Sequence, residues 1–217
     1  MHIRRPTKVR ANRAIFLARY FRKQMGITGP VDAKSVLTKL AKLYYFSSAQ
    51  DPDFANEEGF TILGEDGIYR VYINVDLPEG RDNFTYGHET SHIVLGHHKE
   101  FDIDYLSDYE HWILNREADI FTAEYLMPKA LVREIISQLP TPLSVSELAY
   151  LKNIFGVSWA AMINRLDELK IASKAYLYGL FEKRQSVAVA EARAAYAEVA
   201  VADDGFWRRT KGVLEEK

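Results

Sequence analysis

The stretch of residues 86–98 has the sequence YGHETSHIVLGHH and holds four of the six histidines of the chain. His88, Glu89 and His92 form the pattern H-E-x-x-H, in which the two histidines lie one turn apart on a helix and share a face. Two such imidazoles can bind one Zn²⁺, and the glutamate can act as the general base for an attacking water molecule. The pattern therefore predicts a catalytic metal site, while the competing interpretation is a surface helix with incidental histidines.

A catalytic zinc site needs a third protein ligand, and the sequence offers two sources for it. His98 lies ten residues after His88, as in H-E-x-x-H-x-x-G-x-x-H, but Leu95 stands where that pattern needs glycine. We therefore expect His97 and His98 to mark the end of a helix, where an imidazolium suits the helix dipole. The other source is a carboxylate on a second helix, and the segment NREADIFTAEYLMP at residues 115–128 predicts such a helix.

The bulk composition excludes several classes of protein. Hydrophobic residues make up 47% and charged residues 27% of the 217 residues, which is typical of a globular chain. The formal net charge of -2 does not suit a protein that coats nucleic acid or an anionic membrane. The chain has no cysteine, which excludes disulfides and thiolate metal sites. It shows no signal peptide and no apolar run of membrane-spanning length, so we expect a soluble, cytoplasmic protein.

Apolar periodicity and turn residues predict helices around a small sheet. GFTIL and IYRVYINV are β-branched and aromatic and flank the turn GEDG, so they predict two strands. The second of these strands is a candidate for pairing with an extended peptide. AKSVLTKLAKLYY predicts one helix capped by Asp32, and KEFDIDYLSDYEH predicts an irregular loop. Further helices are predicted in four segments: WILNREADIFTAEYLMP, KALVREIISQL, SVSELAYLKNIF and SWAAMINRLDELKIA.

Three further segments carry weaker signals. Eight Lys and Arg residues lie between Arg4 and Lys23, in a segment with helical character. We interpret it as a packed helix with a solvated basic face, with a docking or DNA-contacting arm as the alternative. SWAAMINRLDELKIA, which contains Arg165 and Lys170, is similar to the second half of a helix-turn-helix, but we interpret it as core packing. The Ala-rich SVAVAEARAAYAEVAVA near the C-terminus predicts another helix.

NFTYGHETSHIVLGHH followed by NREADIFTAEYLMP resembles the paired motifs of the ImmA/IrrE family of zinc metallopeptidases. The two motifs in this order and at this separation are far more specific than H-E-x-x-H alone. The resemblance implies an α+β, zincin-like fold, in which a small, mostly antiparallel sheet lies beside the H-E-x-x-H helix and a helical bundle follows. We accordingly expect a basic N-terminal helical segment at residues 1–30, the metallopeptidase domain at 31–172 and a C-terminal helical tail at 173–217.

The resemblance also implies roles for single residues. His88 and His92 would bind zinc, Glu89 would be the general base, and Asp119 would support a histidine ligand through a hydrogen bond. The ligands and the base would together make the protein a metallo-endopeptidase with Zn²⁺ as its cofactor.

The third ligand is where this sequence departs from the family. The family has a carboxylate at the position that is Asn115 here, and a neutral carboxamide is a weaker ligand. Either Asn115 binds weakly, or Glu117 takes its place, with His98 or an acid from FDIDYLSDYE as further candidates. Helix geometry leaves the choice open, because Asn115 and Glu117 lie on opposite flanks of the apolar stripe.

The resemblance predicts a zinc-dependent endopeptidase whose partner is a protein substrate. The family suggests a helix-turn-helix transcriptional repressor, cut in a stress response or in mobile-element control. The first alternative is a catalytically weak or inactive protein that binds a regulator or toxin without cutting it, and Asn115 favours this. The second is a DNA-binding regulator, against which the net charge of -2 argues.

Overall fold

The computed structural model describes residues 4–50, 54, 57–78 and 80–182. The described part of the chain forms two compact units: one contains residues 4–26 together with the described residues of 32–126, and the other contains Ile27–Val31 together with residues 127–182. Helices and a small sheet make up the first unit, whereas the described part of the second is helical. The predicted α+β class is confirmed.

The sheet of the first unit has three strands in the order β1-β3-β2, and these are Lys42–Phe46 (β1), Gly59–Leu63 (β2) and Tyr69–Asn74 (β3). The predicted antiparallel pairing holds for β2 and β3, whereas β1 pairs parallel to β3. The turn between β2 and β3 uses Gly67 at φ +74°, a conformation that glycine adopts without steric cost. β3 is the central strand, so the two edges of the sheet belong to β1 and β2 and not to IYRVYINV.

Helix α3, Asp82–Leu95, carries the H-E-x-x-H pattern and packs against β2, β3 and helix α5, Asp108–Leu126. Small residues let α3 and α5 approach closely. A Cβ atom added to Gly87 would lie 2.9 Å from the Thr122 side chain, so no larger residue fits there without a shift. Thr90 and Ser91 are fully buried in the same helix. The two helices that carry the paired motifs are therefore in direct contact.

The basic N-terminal segment forms helix α1, Ala11–Gln24, and packs against α5. Ala14 and Ala18 are fully buried, and Phe21 contacts the ring of Tyr125 at 5.7 Å between centroids. Arg22 is buried too, and its Nη1 donates to the Tyr125 carbonyl at 2.7 Å. One face of the segment therefore belongs to the core of the first unit, as the packed-helix interpretation requires.

Two local predictions are wrong. The helix predicted over AKSVLTKLAKLYY ends early: Asp32 caps α2, Ala33–Leu37, as expected, but KLYYF then forms β1, because its backbone pairs with β3. The loop predicted over KEFDIDYLSDYEH begins within the last two residues of helix α4, His97–Glu100, and contains a 3-10 turn at Ile103–Tyr105 and the first turn of α5.

The second unit contains α6 (Lys129–Ile136), α7 (Val145–Phe155), α8 (Trp159–Glu168) and α9 (Lys174–Glu182). Ser144 and Glu147 form a capping box at the start of α7. Arg165 is 2% exposed and its Nε donates to the Met127 carbonyl at 2.9 Å, so the helix-turn-helix-like segment packs into the core as predicted. The predicted Ala-rich helix lies outside the described residues. Within the described part of the chain, no helix combines the length and apolar character that a membrane span needs.

Candidate functional site

A cavity of about 880 Å³ lies between the sheet, α3 and α5 in the first unit. β2 supplies Gly59, Phe60 and Thr61 to its wall, and α3 supplies the H-E-x-x-H residues. The remaining lining residues come from the loop before β2, from the first turn of α3, from α4 and the 3-10 turn, and from one face of α5. They include Phe54, Glu57, Glu58, Phe84, Thr85, His98, Ile103, Asp108, His111, Trp112, Leu114, Asn115 and Asp119.

His88 and His92 point their Nε2 atoms at one another, and these atoms are 3.1 Å apart. A tetrahedral metal with bonds of about 2.0–2.1 Å holds two nitrogen ligands roughly 3.3 Å apart. Each outer nitrogen already has a polar neighbour, which is Asp119 Oδ1 for His88 and His97 Nδ1 for His92. If both outer nitrogens carry the ring protons, two Nε2 lone pairs converge on one point, and this donor pair fits a cation.

Asp119 accepts a hydrogen bond from His88 Nδ1 at 3.1 Å. Burial lowers the pKa of His88, but the hydrogen bond to Asp119 and the nearby Glu89 charge outweigh it, so the pKa lies above its usual value. Asp119 was expected to support one of the two histidines, and the structure brings it to His88 across the α3–α5 contact.

Glu89 is buried, and its Oε2 accepts a hydrogen bond from the Thr61 hydroxyl at 2.7 Å. Burial raises the pKa of this carboxyl above its usual value, although His88 and Thr61 act in the opposite direction. A carboxylate whose pKa is raised is a better proton acceptor, which is what general-base chemistry requires. Thr61 of β2 thus positions the candidate base, and β2 is an edge strand of the sheet.

Glu117 does not line the cavity. It is fully buried on the opposite side of α5, where Arg10 donates to it from its backbone N, Nε and Nη2 at 2.6, 2.8 and 2.9 Å. Its Oε2 also lies 3.3 Å from His97 Nε2. Burial opposes ionisation, but His97 and Arg10 lower the pKa of Glu117 to about 2. The carboxylate is therefore ionised, and it is held by Arg10 and His97 and not by a metal ion in the cavity.

Asn115 lines the cavity, one helical turn before Asp119 on the same face of α5. His111 lies a further turn before Asn115 and lines the cavity as well. In the described ranges, no group of three or more His, Cys, Asp or Glu side chains is arranged to hold a metal ion. The two histidines thus fit a cation, and the carboxamide of Asn115 lies on the cavity wall where the resemblance implied a carboxylate ligand.

His98 also lines the cavity, but its Nε2 is 2.7 Å from the Thr61 carbonyl. This bond ties His98 to β2. The other ring nitrogen, Nδ1, is buried without a hydrogen-bond partner among the described residues. The predicted helix end lies just before these two histidines: α3 ends at Leu95 with Gly96 at φ +72° as its C-cap, and His97 and His98 begin α4. Burial lowers the pKa of both imidazoles, so the imidazolium that was expected here is disfavoured.

Four residues around the site were not identified from sequence. Thr61 and Arg10 carry no local signal, because their partners lie 28 and 107 residues away in the chain. His97 was assigned to a helix end without a partner. His111 had a usable signal, since it precedes Asn115 by four residues and so shares its helical face.

Comparison with known families gives one match over more than half of the chain. A family model described as Peptidase_M78, IrrE N-terminal-like domain, matches residues 48–167. The match includes β2, β3, α3 and α5, and therefore His88, Glu89, His92, Asn115 and Asp119. It does not include α1. No curated protein matches the chain.

Proposed function

Since the chain belongs to the Peptidase M78 family, we propose that it is a zinc-dependent endopeptidase. This membership confirms the resemblance that the paired motifs indicated. The observation that carries the proposal is the convergence of His88 Nε2 and His92 Nε2, 3.1 Å apart, in the cavity that also holds the buried Glu89.

His88 and His92 would hold the zinc ion, with Asn115 as the third, neutral ligand. Zinc, when bound, supplies a Lewis acid that polarises the scissile carbonyl and makes water more acidic. Glu89 takes the proton of the attacking water and passes it to the leaving amine. The Thr61 hydroxyl holds Oε2 of Glu89 at 2.7 Å, which leaves Oε1 for that transfer.

The substrate is an extended segment of a protein. β2 pairs with β3 on one side, and three of its residues line the cavity. A peptide that paired with the side of β2 that faces away from β3 would pass directly beside Glu89 and the histidine pair. The family resemblance makes a helix-turn-helix repressor the substrate we test first, and cytoplasmic localisation remains our expectation for such an activity.

The test compares the zinc-loaded wild type with Glu89→Gln on purified helix-turn-helix regulators from the same genome and on a peptide library, with products identified by mass spectrometry. We expect the wild type to cut at defined bonds and Glu89→Gln to cut none. Equal cleavage by both proteins would contradict the mechanism.

One observation, the carboxamide of Asn115 on the cavity wall, favours a second candidate function. A site with only two strong ligands would bind zinc weakly, and the protein would then hold a regulator or toxin partner without cutting it. Partner binding that is unaffected by a chelator, together with no cleavage product, would favour this function over the first.

A further inference from the structure

A chain of buried and half-buried polar contacts runs from the N-terminal segment to the candidate metal ligand His92. Arg10 binds both oxygens of Glu117, Glu117 Oε2 lies 3.3 Å from His97 Nε2, and His97 Nδ1 lies 3.0 Å from His92 Nδ1. His97 and Glu117 are fully buried. We propose that Arg10, Glu117 and His97 form a positioning relay that fixes the ring orientation and the proton of His92. This inference rests on the proposed function, because it concerns a ligand of the same site.

The relay is consistent in one assignment of protons. For His92 to offer its Nε2 lone pair to a cation, its ring proton must lie on Nδ1, which then donates to His97 Nδ1. His97 must accept there, so its own proton lies on Nε2 and donates to Glu117. Glu117 must then be an ionised acceptor, and the guanidinium of Arg10 keeps it so. The protonation of each group thus fixes that of its neighbour, and the series begins with the Arg10 guanidinium, which keeps Glu117 ionised.

The two histidine ligands have different supports. His88 has the partly exposed Asp119 as its direct partner, whereas His92 reaches a carboxylate only through the second imidazole of His97. A histidine ligand whose outer nitrogen is held in place loses less conformational entropy when it binds a metal. Removal of such a hydrogen-bond partner typically lowers metal affinity about 10–100-fold. Because Asn115 is a weak third ligand, the zinc affinity of this site depends more strongly on the orientation of His92.

The turn at Gly96 makes the relay possible. If α3 continued as one helix through His97, the side chains of His92 and His97, five residues apart, would face directions about 140° apart. Gly96 adopts φ +72°, which ends α3 and starts α4 in a new direction, so that His97 packs back against the ring of His92. The ring centroids are 4.9 Å apart and nearly perpendicular, as an edge contact between two imidazoles requires.

A second ion pair between the same two helices provides a matched control. Arg19 of α1 donates to Glu124 of α5 at 2.7 Å, and Glu124 is almost fully buried, as Glu117 is. Glu124 is two turns further along α5 and does not line the cavity. Removing its charge therefore perturbs the α1–α5 contact without touching the relay.

The experiment measures the zinc dissociation constant of the full chain by competition with a chelating dye. We expect His97→Phe, which keeps a buried ring but removes both nitrogens, to weaken zinc binding about 10–100-fold. His97→Gln should recover part of the loss, since its amide oxygen can accept from His92 Nδ1. Glu117→Gln should weaken binding, and Glu124→Gln should leave it unchanged. Affinities within twofold of the wild type for both His97→Phe and Glu117→Gln, or equal losses for Glu117→Gln and Glu124→Gln, would overturn the relay.

A nitrogen-15 NMR measurement of the histidine tautomers gives an independent readout. In the wild type we expect His92 to carry its proton on Nδ1 and His97 on Nε2, with or without zinc. The opposite tautomer of His92 would overturn the relay, and this measurement decides the matter if His97→Phe does not fold. A wild type that binds zinc but cuts nothing would refute the proposed function and leave the relay standing. If the wild type binds no zinc, the tautomers in the metal-free protein decide the inference separately.

Discussion

His88 Nδ1 lies 3.1 Å from Asp119 Oδ1, and this hydrogen bond joins the two helices that carry the paired motifs. It orients the imidazole whose other nitrogen faces His92. We expect Asp119→Ala to weaken zinc binding about 10–100-fold, and Asp119→Asn to weaken it less because an amide oxygen can still accept the bond. The measurement is a zinc competition titration. Arg116→Ala is the control, since Arg116 contacts Asp119 at 3.9 Å but lines no part of the cavity.

Asn115→Glu should raise the affinity for zinc. The substitution places a negative charge on the cavity wall, where a carboxylate ligand adds attraction that a carboxamide lacks. We expect a gain of about 10-fold or more in the same titration, and a loss of metal in Asn115→Ala. Asn153→Glu adds the same charge on α7, outside the cavity, and should change nothing. An unchanged affinity in Asn115→Glu would mean that this residue does not face the metal, and His111 would be tested next.

Glu89→Gln should lower the hydrolysis rate by about 10²–10⁴-fold, the usual contribution of a general base. It should also stabilise the metal-free fold at neutral pH. The pKa of Glu89 is raised in the folded state by burial, so the stability that the group contributes is present below the unfolded pKa and is lost as pH rises through the folded pKa. Urea unfolding of both proteins at pH 5 and pH 8 checks this, and the advantage of Glu89→Gln should grow with pH. A constant difference would contradict the raised pKa.

Glu117 should stabilise the fold at neutral pH and lose this effect in acid. Its pKa is lowered to about 2, chiefly because His97 and Arg10 outweigh the cost of burial, so its contribution is present above the unfolded pKa near 4.5 and disappears as pH falls through about 2. At about 1.4 kcal/mol for each pKa unit, the contribution is on the order of 3 kcal/mol. Unfolding curves of wild type and Glu117→Gln at pH 7 and pH 3 measure it. A gap that persists undiminished at pH 3 would contradict the ionised pair.

Gly87→Ala should destabilise the protein by about 1–3 kcal/mol, as overpacking of a close helix contact does. The added Cβ would lie 2.9 Å from Thr122 and would push α3, with His88 on the next residue, away from α5. Thermal unfolding measures the loss, and zinc affinity should fall with it. Gly179→Ala is the matched control in α9, where a Cβ meets nothing within 4 Å, so helix propensity alone should make it neutral or stabilising.

Local sequence patterns predicted the helices and strands whose formation depends on residues close to one another in the chain. The helices α5, α7 and α8 follow from apolar periodicity and capping residues, and β2 and β3 follow from aromatic and β-branched residues around a turn. β1 was missed, because KLYYF has no turn signal of its own between it and α2. Its conformation depends on pairing with β3, which lies 28 residues further along the chain.

The choice between Asn115 and Glu117 shows the same limit within the site. Both residues lie beside the apolar stripe of α5, and periodicity treats the two flanks alike. The structure places Asn115 on the cavity wall and Glu117 against Arg10, because the guanidinium of Arg10, just before α1, provides a partner for the buried carboxylate. Such a choice depends on a residue 107 positions away, which no local window contains.

The separation of Arg10 and Glu117 has a consequence for how the protein assembles. Arg10 is synthesised 107 residues before Glu117, so its guanidinium has no carboxylate partner of this pair until α5 is made. Contacts of such long range form late in folding, because the entropy of closing the intervening loop must first be overcome. Metal binding at full affinity should therefore be one of the last events of folding, and a nascent chain that ends before α5 should bind zinc more weakly than the folded protein.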